Sequence, residues 1–479
     1  MLSDPLPPVI SRFRCCLPVD RFPDLGYLSS THIVVVQGFA GNDVEGEVRS
    51  ATIGGGGLDG FPNIVTGEGG TIGGGAGNRA GELATVAGGV GSSAEGFRSA
   101  IGGGGYNLAD RDSATIAGGY GNRTSGSHAT ISGGTINTAL EVNATVGGGS
   151  GNTASERHTF IGSGTSNTAG GLASVTAGGV YNSSRAAYAA VGGGISNAAK
   201  ARGAVVAGGA GNAAEGEDAA IAGGLNNRVS DNYGTVVGGR ANQAGNANPD
   251  PGDAPYASVG GGDSNLAAGA YSVVPGGAFN TAAGAFSFAA GRRGKIHESC
   301  TGAFVFADAT DHDFRSAAAN EFAARATGGA RFVTAVDSQG ETLAGVRLAG
   351  GGGAWESLSD RRTKKDFAAV DQQDILEKVA SLPLMSWSYA SQPSSIRHIG
   401  PVSQDFSTVF GLGQDERYIS TSDADGVALA AIQGLHRHLR EVELKLAAYE
   451  ERMRVMEALM RDQQRRLESS AQHSTAERR

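Results

Sequence analysis

The sequence predicts a mainly β fold: a parallel β-solenoid or β-roll of ~14 fifteen-residue repeats, a β-rich neck, a small α+β domain and a parallel coiled-coil helix. Three observations carry that prediction. Of 79 glycines in 479 residues, 61 fall between residues 51 and 294. Apolar residues recur in that stretch at a fixed 15-residue spacing. A heptad pattern then fills the C-terminal end.

The repeat is read from the Ile or Val that precedes each glycine pair, starting at Ile72, Val86 and Ile101 and ending at Val259 and Val274. Eleven of the thirteen intervals are 15 residues; one is 14 and one is 23, the last absorbing an eight-residue insertion around Asn248 and Asp253. Thr176 is the single departure from Ile or Val, Ser163 breaks one glycine pair, and Ser92 replaces an Asn that otherwise stands six residues on. A short A-T-I-type strand and a short N-x-A strand show the period-two alternation of strands. The glycine pair between them permits positive φ at a tight corner. Asn tolerates the left-handed region, and stacked Asn side chains are expected to form amide ladders. At ~4.8 Å per turn such a stack would run roughly 65–70 Å. A disordered linker does not require this fixed apolar phase. Collagen is excluded by the absence of a three-residue glycine period and by only 13 prolines.

The A-x-I-G-G-G-x-x-N-x-A-x-G pattern resembles the head repeats of trimeric autotransporter adhesins over residues 51–294. The resemblance implies three chains, each winding a parallel β-roll. This sequence departs from it in using 15-residue rather than 14-residue repeats, and it shows no C-terminal membrane β-barrel, so an autotransporter export route is not expected.

Residues 1–50, with Pro5, Pro7, Pro8 and Cys15-Cys16, read as an N-terminal segment suited to attachment, and residues 51–286 as the repeat rod. Alternating Phe304 and Phe306 make residues 287–353 a β-rich neck, ending in a hinge of glycines at 350–353. Arg292, Arg293 and Lys295 read as a solvated or inter-chain basic face. Asp308, Asp311 and Asp313 with His297 and His312 match no standard metal loop, so neither metal nor cofactor is expected. Three cysteines are too few for a disulfide framework. A net charge of −9 argues against nucleic acid as the main partner. No apolar run reaches the ~18 residues of a membrane span. No export signal is visible, although a cell-surface or virion-tail setting suits such a chain best.

Glycine becomes sparse from Trp355 onward. Four motifs follow: L-S-D-R-R-T-K at 358–364, Trp387 with Tyr389, R-H-I-G-P-V-S-Q-D at 397–405, and S-D-A-D-G-V-A-L-A-A-I-Q at 422–433. In that order they resemble the C-terminal intramolecular chaperone of endosialidase-type tailspikes and tail fibres. The resemblance implies a chaperone domain at 354–426 that helps three chains assemble and then cuts itself off by a serine–lysine mechanism. Carried over, the nucleophile is Ser359, the general base Lys364 and the scissile bond Leu358–Ser359, with Ser357 a weaker alternative nucleophile. His398 and Asp360 are the supporting residues. A serine hydroxyl needs a base, and a lysine serves as one only when neutral, a state favoured by burial or by neighbouring cations such as Arg361, Arg362 and Lys365. Taken alone, Ser-Asp before basic residues also reads as an ordinary helix N-cap.

Residues 427–469 carry the heptads, with Ile432, Leu439, Leu446, Met453, Met460 and Leu467 at a and Leu435, Val442, Tyr449, Met456 and Gln463 at d. Lys445 and Arg452 at g precede Glu450 and Glu457 at e by five residues, the spacing of inter-chain pairs in a parallel coiled coil. Residues 470–479 read as a frayed polar tail.

Three functions compete. The first is a homotrimeric fibre or adhesin-like protein with a self-releasing chaperone, acting on no external substrate and binding a cell-surface glycan or protein. The second is a glycan-processing tailspike enzyme, opposed by the scatter of acidic residues: Asp110/Asp112 and Glu215/Glu217/Asp218 are the tightest groups, and paired glycosidase carboxylates are not positioned by the repeat. The third is a non-cleaving, surface- or ice-binding solenoid, prompted by Thr115, Thr130 and Thr145 and weakened by the break at Phe160 and Val175.

Overall fold

The computed structural model describes residues 12–13 and 34–476, and forms two compact units that divide between Thr327 and Gly328. Cys15, Cys16 and the proline-rich start lie outside the described residues.

The first unit is a parallel β-solenoid of about 19 turns. Each turn adds one two-residue strand to each of two ladders. In the first, Thr115 pairs with Thr130 and Ile116 with Ile131; in the second, Arg123 pairs with Thr138 and Thr124 with Ala139. A third line of single parallel bridges runs from Ala76↔Val90 to Ala278↔Arg292. Alternation along each strand sends one residue in and the next out. Ile116, Ile131 and Val146 of the first ladder and Ala139 and Ala154 of the second are therefore fully buried in one continuous core. Burying each Ile or Val contributes about 2 kcal/mol. The narrow interior admits nothing much larger.

The corner between the ladders depends on glycine. Gly119 has φ +95°, and a Cβ there would lie 2.1 Å from the carbonyl oxygen of Gly134 on the next turn. The asparagine column is more than the expected amide ladder. Asn137 Nδ2 donates to Gly133 O (3.0 Å) in its own turn and to Gly149 O (2.9 Å) in the next, while its Oδ1 accepts from the backbone N–H of Asn152 (3.0 Å). Amide-to-amide contacts are present at some turns, as from Asn122 Nδ2 to Asn107 Oδ1 (3.2 Å). The side chain thus satisfies backbone groups that the corner leaves without partners, among them the buried N–H of the next asparagine. Asn137→Ala is expected to cost about 2 kcal/mol, since three backbone groups, one of them in a fully buried contact, lose their partner. A urea-denaturation midpoint would read it, and Thr138→Ala on the solvent side of the next strand should change it little.

The solenoid is longer at both ends than the expected 51–286. It includes the rung at Val34–Val36, and it continues through Phe288–Gly291, Phe304–Ala307 and Phe322–Arg325, all parallel and in register. The first part of the expected neck is therefore rod. These end turns differ in length and lack the glycine pair, so the period fades while the in–out alternation persists. The carboxylates once weighed as a metal loop are paired with arginines: Asp308 with Arg325 (2.8 Å), Asp311 with Arg292 (3.0 Å) and Arg293 (2.6 Å), and Asp313 with Arg315 (2.8 Å).

The second unit opens with three antiparallel strands, Gly329–Val336, Thr342–Ala349 and Trp355–Ser357. The glycines at 350–353 form the turn between the last two, and are not a hinge between domains. Helix α1 (Gln372–Ser381) is capped by Asp371, whose side chain accepts from the N–H groups of Gln373 and Asp374. A hairpin of Met385–Trp387 with His398–Gly400 follows, then α2 (Ser403–Phe410), closed by Gly411 in the left-handed region. Helix α3 (Thr421–Ala476) is a single helix of 56 residues, so it begins ahead of residue 427 and takes in most of the expected tail.

Candidate functional site

The strand Trp355–Ser357 delivers the expected scissile bond. Ser357 lies opposite Val346, and the Leu358 N–H donates to Gly345 O at 3.0 Å, which holds the backbone at Leu358 against the sheet. The chain then leaves the sheet and turns through a short 3₁₀ helix, Arg361–Thr363. Asp360 caps that helix by accepting from the Arg362 N–H at 2.8 Å, and its carboxylate also meets the Arg362 guanidinium at 2.7 Å. Thr363 Oγ1 donates to Asp360 O at 2.9 Å. This turn brings Lys364 back over Ser359, with Lys364 Nζ 2.6 Å from Ser359 Oγ. Both side chains are exposed in the single chain. Ser357, Leu358 and Ser359 form one wall of a cleft of about 380 Å³, whose other sides include Phe332, Val346 and Arg347.

The same hydrogen bonds to Arg362 hold the Asp360 carboxyl down to about 2, below its ordinary 3.8. A depressed carboxylate stabilises the turn above its ordinary value, and that contribution is lost as pH falls through about 2. An NMR titration of the Asp360 carboxyl carbon is expected to show this low midpoint. In Arg362→Ala it should rise toward the ordinary value.

His398 stands apart from this turn. Its ring packs against Trp387 (centroids 4.9 Å) and Tyr389 (5.4 Å), and Nε2 donates to Gln392 Oε1 at 2.9 Å. The structure thus groups Ser359, Asp360 and Lys364, and places His398 in a separate aromatic cluster on the 385–400 hairpin. Gln392 was not singled out by sequence reasoning, since a glutamine in a Ser-Gln-Pro-Ser loop carries no local signal. Trp387 Nε1 is buried there without a hydrogen-bond partner, an orphan donor that only coordinates reveal.

Helix α3 has two differently occupied faces. Its Val427, Ala431 and Gly434 are buried, and Gly434 passes so close to Gln372 of α1 that a Cβ there would meet the Gln372 carbonyl. The heptad seam beside that face is open: Ile432, Leu435, Leu439 and Leu446 are 53–62% exposed. Among the described residues no helix is long and apolar enough to cross a membrane.

No curated protein matches the chain. Residues 359–411 match the family model described as chaperone of endosialidase, a match that begins at Ser359 and takes in the 3₁₀ turn, α1, the hairpin and α2. With a β-solenoid in the first unit and this match in the second, the chain is similar in architecture to tail-fibre proteins that carry an endosialidase-type intramolecular chaperone.

Proposed function

We propose that the chain is a homotrimeric fibre or adhesin-like protein whose C-terminal unit assembles three copies and then releases itself by cleavage between Leu358 and Ser359. The observation that carries this reading is the 2.6 Å approach of Lys364 Nζ to Ser359 Oγ, immediately after a strand that holds the Leu358 amide in place.

The chemistry follows from those positions. Neutral Lys364 takes the Ser359 hydroxyl proton as Oγ attacks the Leu358 carbonyl carbon. The Leu358–Ser359 C–N bond breaks and its nitrogen receives that proton, leaving Leu358 as an ester on Ser359 Oγ. Water then hydrolyses the ester, giving a Leu358 carboxylate and a free Ser359 amine and hydroxyl. One turnover per chain results, with residues 359–479 as the released piece. In an isolated chain Lys364 is exposed, so trimer formation would supply the enclosure that favours its neutral form, coupling cutting to assembly.

The open heptad seam of α3 supports a parallel three-chain coiled coil, because a stripe of Ile, Leu and Met left in water is stabilised by copies of itself. Loss of the chaperone would make the remaining fibre kinetically stable, since unfolded chains would no longer be guided back. Native mass spectrometry of purified protein tests the reading: three copies of residues 1–358 are expected, with residues 359–479 as a separate species. A single-chain mass, or an uncut trimer, would sink it.

A further inference from the structure

The solenoid buries one charged side chain. Among the described residues Asp231 is the only fully buried Asp, Glu, Lys or Arg, at 1% exposure. It follows the second-ladder strand Arg228–Val229. On the four preceding turns the same place holds Gly216, Ala201, Ala186 and Gly171, none with a polar side chain. Asp231 Oδ2 accepts from Ser230 Oγ and from the Asn246 N–H, both at 2.8 Å. Its Oδ1 is buried without a hydrogen-bond partner, a costly arrangement for a carboxylate.

Over Asp231 lies the eight-residue insertion that interrupts the 15-residue period. Gly245 leads into it with φ +95°, and a Cβ there would lie 1.9 Å from Asp231 Oδ2. The loop is tied down on both sides of the buried acid. The Ala247 N–H donates to Ser230 Oγ at 3.0 Å, and the Asn232 N–H donates to Pro251 O at 2.8 Å. The insertion also brings a second carboxylate, Asp253, which accepts from Asn246 Nδ2 at 2.9 Å and from Asn248 Nδ2 at 2.5 Å. Burial pushes the Asp231 carboxyl up, and the neighbouring Asp253 carboxylate pushes it the same way. Asp308, Asp311 and Asp313 at the end of the rod each meet an arginine. Among the described residues no Arg or Lys pairs with Asp231 or Asp253.

Two adjoining carboxylates, one of them buried, call for positive charge from outside the chain. The donors at hand are oxygens: Asp231 Oδ1, the Asp253 carboxylate, and the side-chain carbonyls of Asn246 and Asn248. Each of those carbonyls accepts one backbone N–H, from Asn248 at 3.1 Å and from Asp250 at 2.8 Å, and keeps a second lone pair. No His or Cys stands between residues 228 and 258. An oxygen-only set selects a hard divalent cation, and an irregular loop suits calcium, which accepts uneven geometry, better than magnesium.

We infer that Asp231 and Asp253 are the anionic ligands of a calcium ion that pins the insertion to the solenoid, with Asn246 and Asn248 supplying amide oxygens. The ion would neutralise the buried carboxylate and satisfy Oδ1 in one step, which explains why an acid stands where neighbouring turns carry Gly or Ala.

Calorimetric titration of calcium chloride into chelator-treated full-length protein tests it. One ion per chain is expected to bind with a dissociation constant on the order of 10⁻⁴ M, and magnesium chloride roughly tenfold or more weakly. Asp253→Asn, at an exposed position, should weaken calcium binding roughly tenfold or more, and Asp231→Asn should do the same. Asp112→Asn, an exposed acid elsewhere on the solenoid, should bind as wild type does. Calcium should also raise the urea midpoint of wild-type protein and of Asp112→Asn, but not of Asp253→Asn. No binding by wild-type protein, or undiminished binding by a folded Asp253→Asn, would overturn the assignment and leave Asp231 and Asp253 as a pair that shares a proton.

Discussion

Ser359→Ala and Lys364→Ala are each expected to leave the chain whole at 48.2 kDa, where the proposed cleavage would separate wild-type protein into two pieces meeting at Leu358/Ser359. Removal of Ser359 Oγ deletes the proposed attacking atom, so no residual cutting at this bond is expected. Removal of Lys364 deletes the proposed base, and general-base loss typically slows such a step by about 10²–10⁴-fold. Lys364→Arg should fail as well, because a guanidinium stays charged and cannot accept the proton. Asp360→Asn is expected to slow cutting less, since it loosens the turn that brings Lys364 over Ser359 but leaves both reacting groups in place. Intact-mass analysis after a timed incubation reads all four variants. All four should retain the three-chain native mass, which separates lost chemistry from lost assembly. Full cleavage in Lys364→Ala would show that another group takes the proton.

Charges placed in the α3 seam are expected to abolish both assembly and cutting. Leu439 and Leu446 are consecutive a positions, 53% and 57% exposed in the single chain. In a three-stranded coiled coil each would be buried against two copies of itself. Leu439→Asp with Leu446→Asp would then bring six carboxylates into an apolar core, a cost well beyond the ~2–3 kcal/mol of losing one buried Leu. Sedimentation should show single chains, and intact mass should show them uncut, although Ser359 and Lys364 are unchanged. Glu441→Gln, at a c position outside the seam and its flanking e and g positions, should leave both properties intact. If the double variant is cut at the normal rate as a monomer, cleavage does not require the coiled coil.

The repeat was legible because its causes are local and recur. Every turn needs an inward Ile or Val, a glycine where a Cβ would strike the next turn, and a buried amide to satisfy the corner, so the same residue types return every 15 positions. The heptads of α3 were legible for the same reason. At the ends of the solenoid the turns vary in length, and Phe288, Phe304 and Phe322 continue the ladder without a glycine pair; alternation over three or four residues is too brief a signal to set against the loss of period. Gly350–Gly353 misled because a run of glycines has the same composition in a hairpin turn and in a hinge.

The candidate site divides along the same line. Ser359, Asp360 and Lys364 lie within six residues, so a resemblance between short segments could single them out together, and the local 3₁₀ turn is enough to bring Nζ to Oγ. The place of His398 depended on the pairing of Met385–Trp387 with His398–Gly400 and on the packing of three rings, contacts between residues distant in sequence that no local pattern encodes. The sequence by itself determined the solenoid, its period and the heptad seam, because each follows from rules obeyed within one turn of chain. Only the tertiary structure decided how far the solenoid runs, where the Leu358 bond sits against its sheet and which rings surround His398, because those depend on which distant side chains end up beside one another.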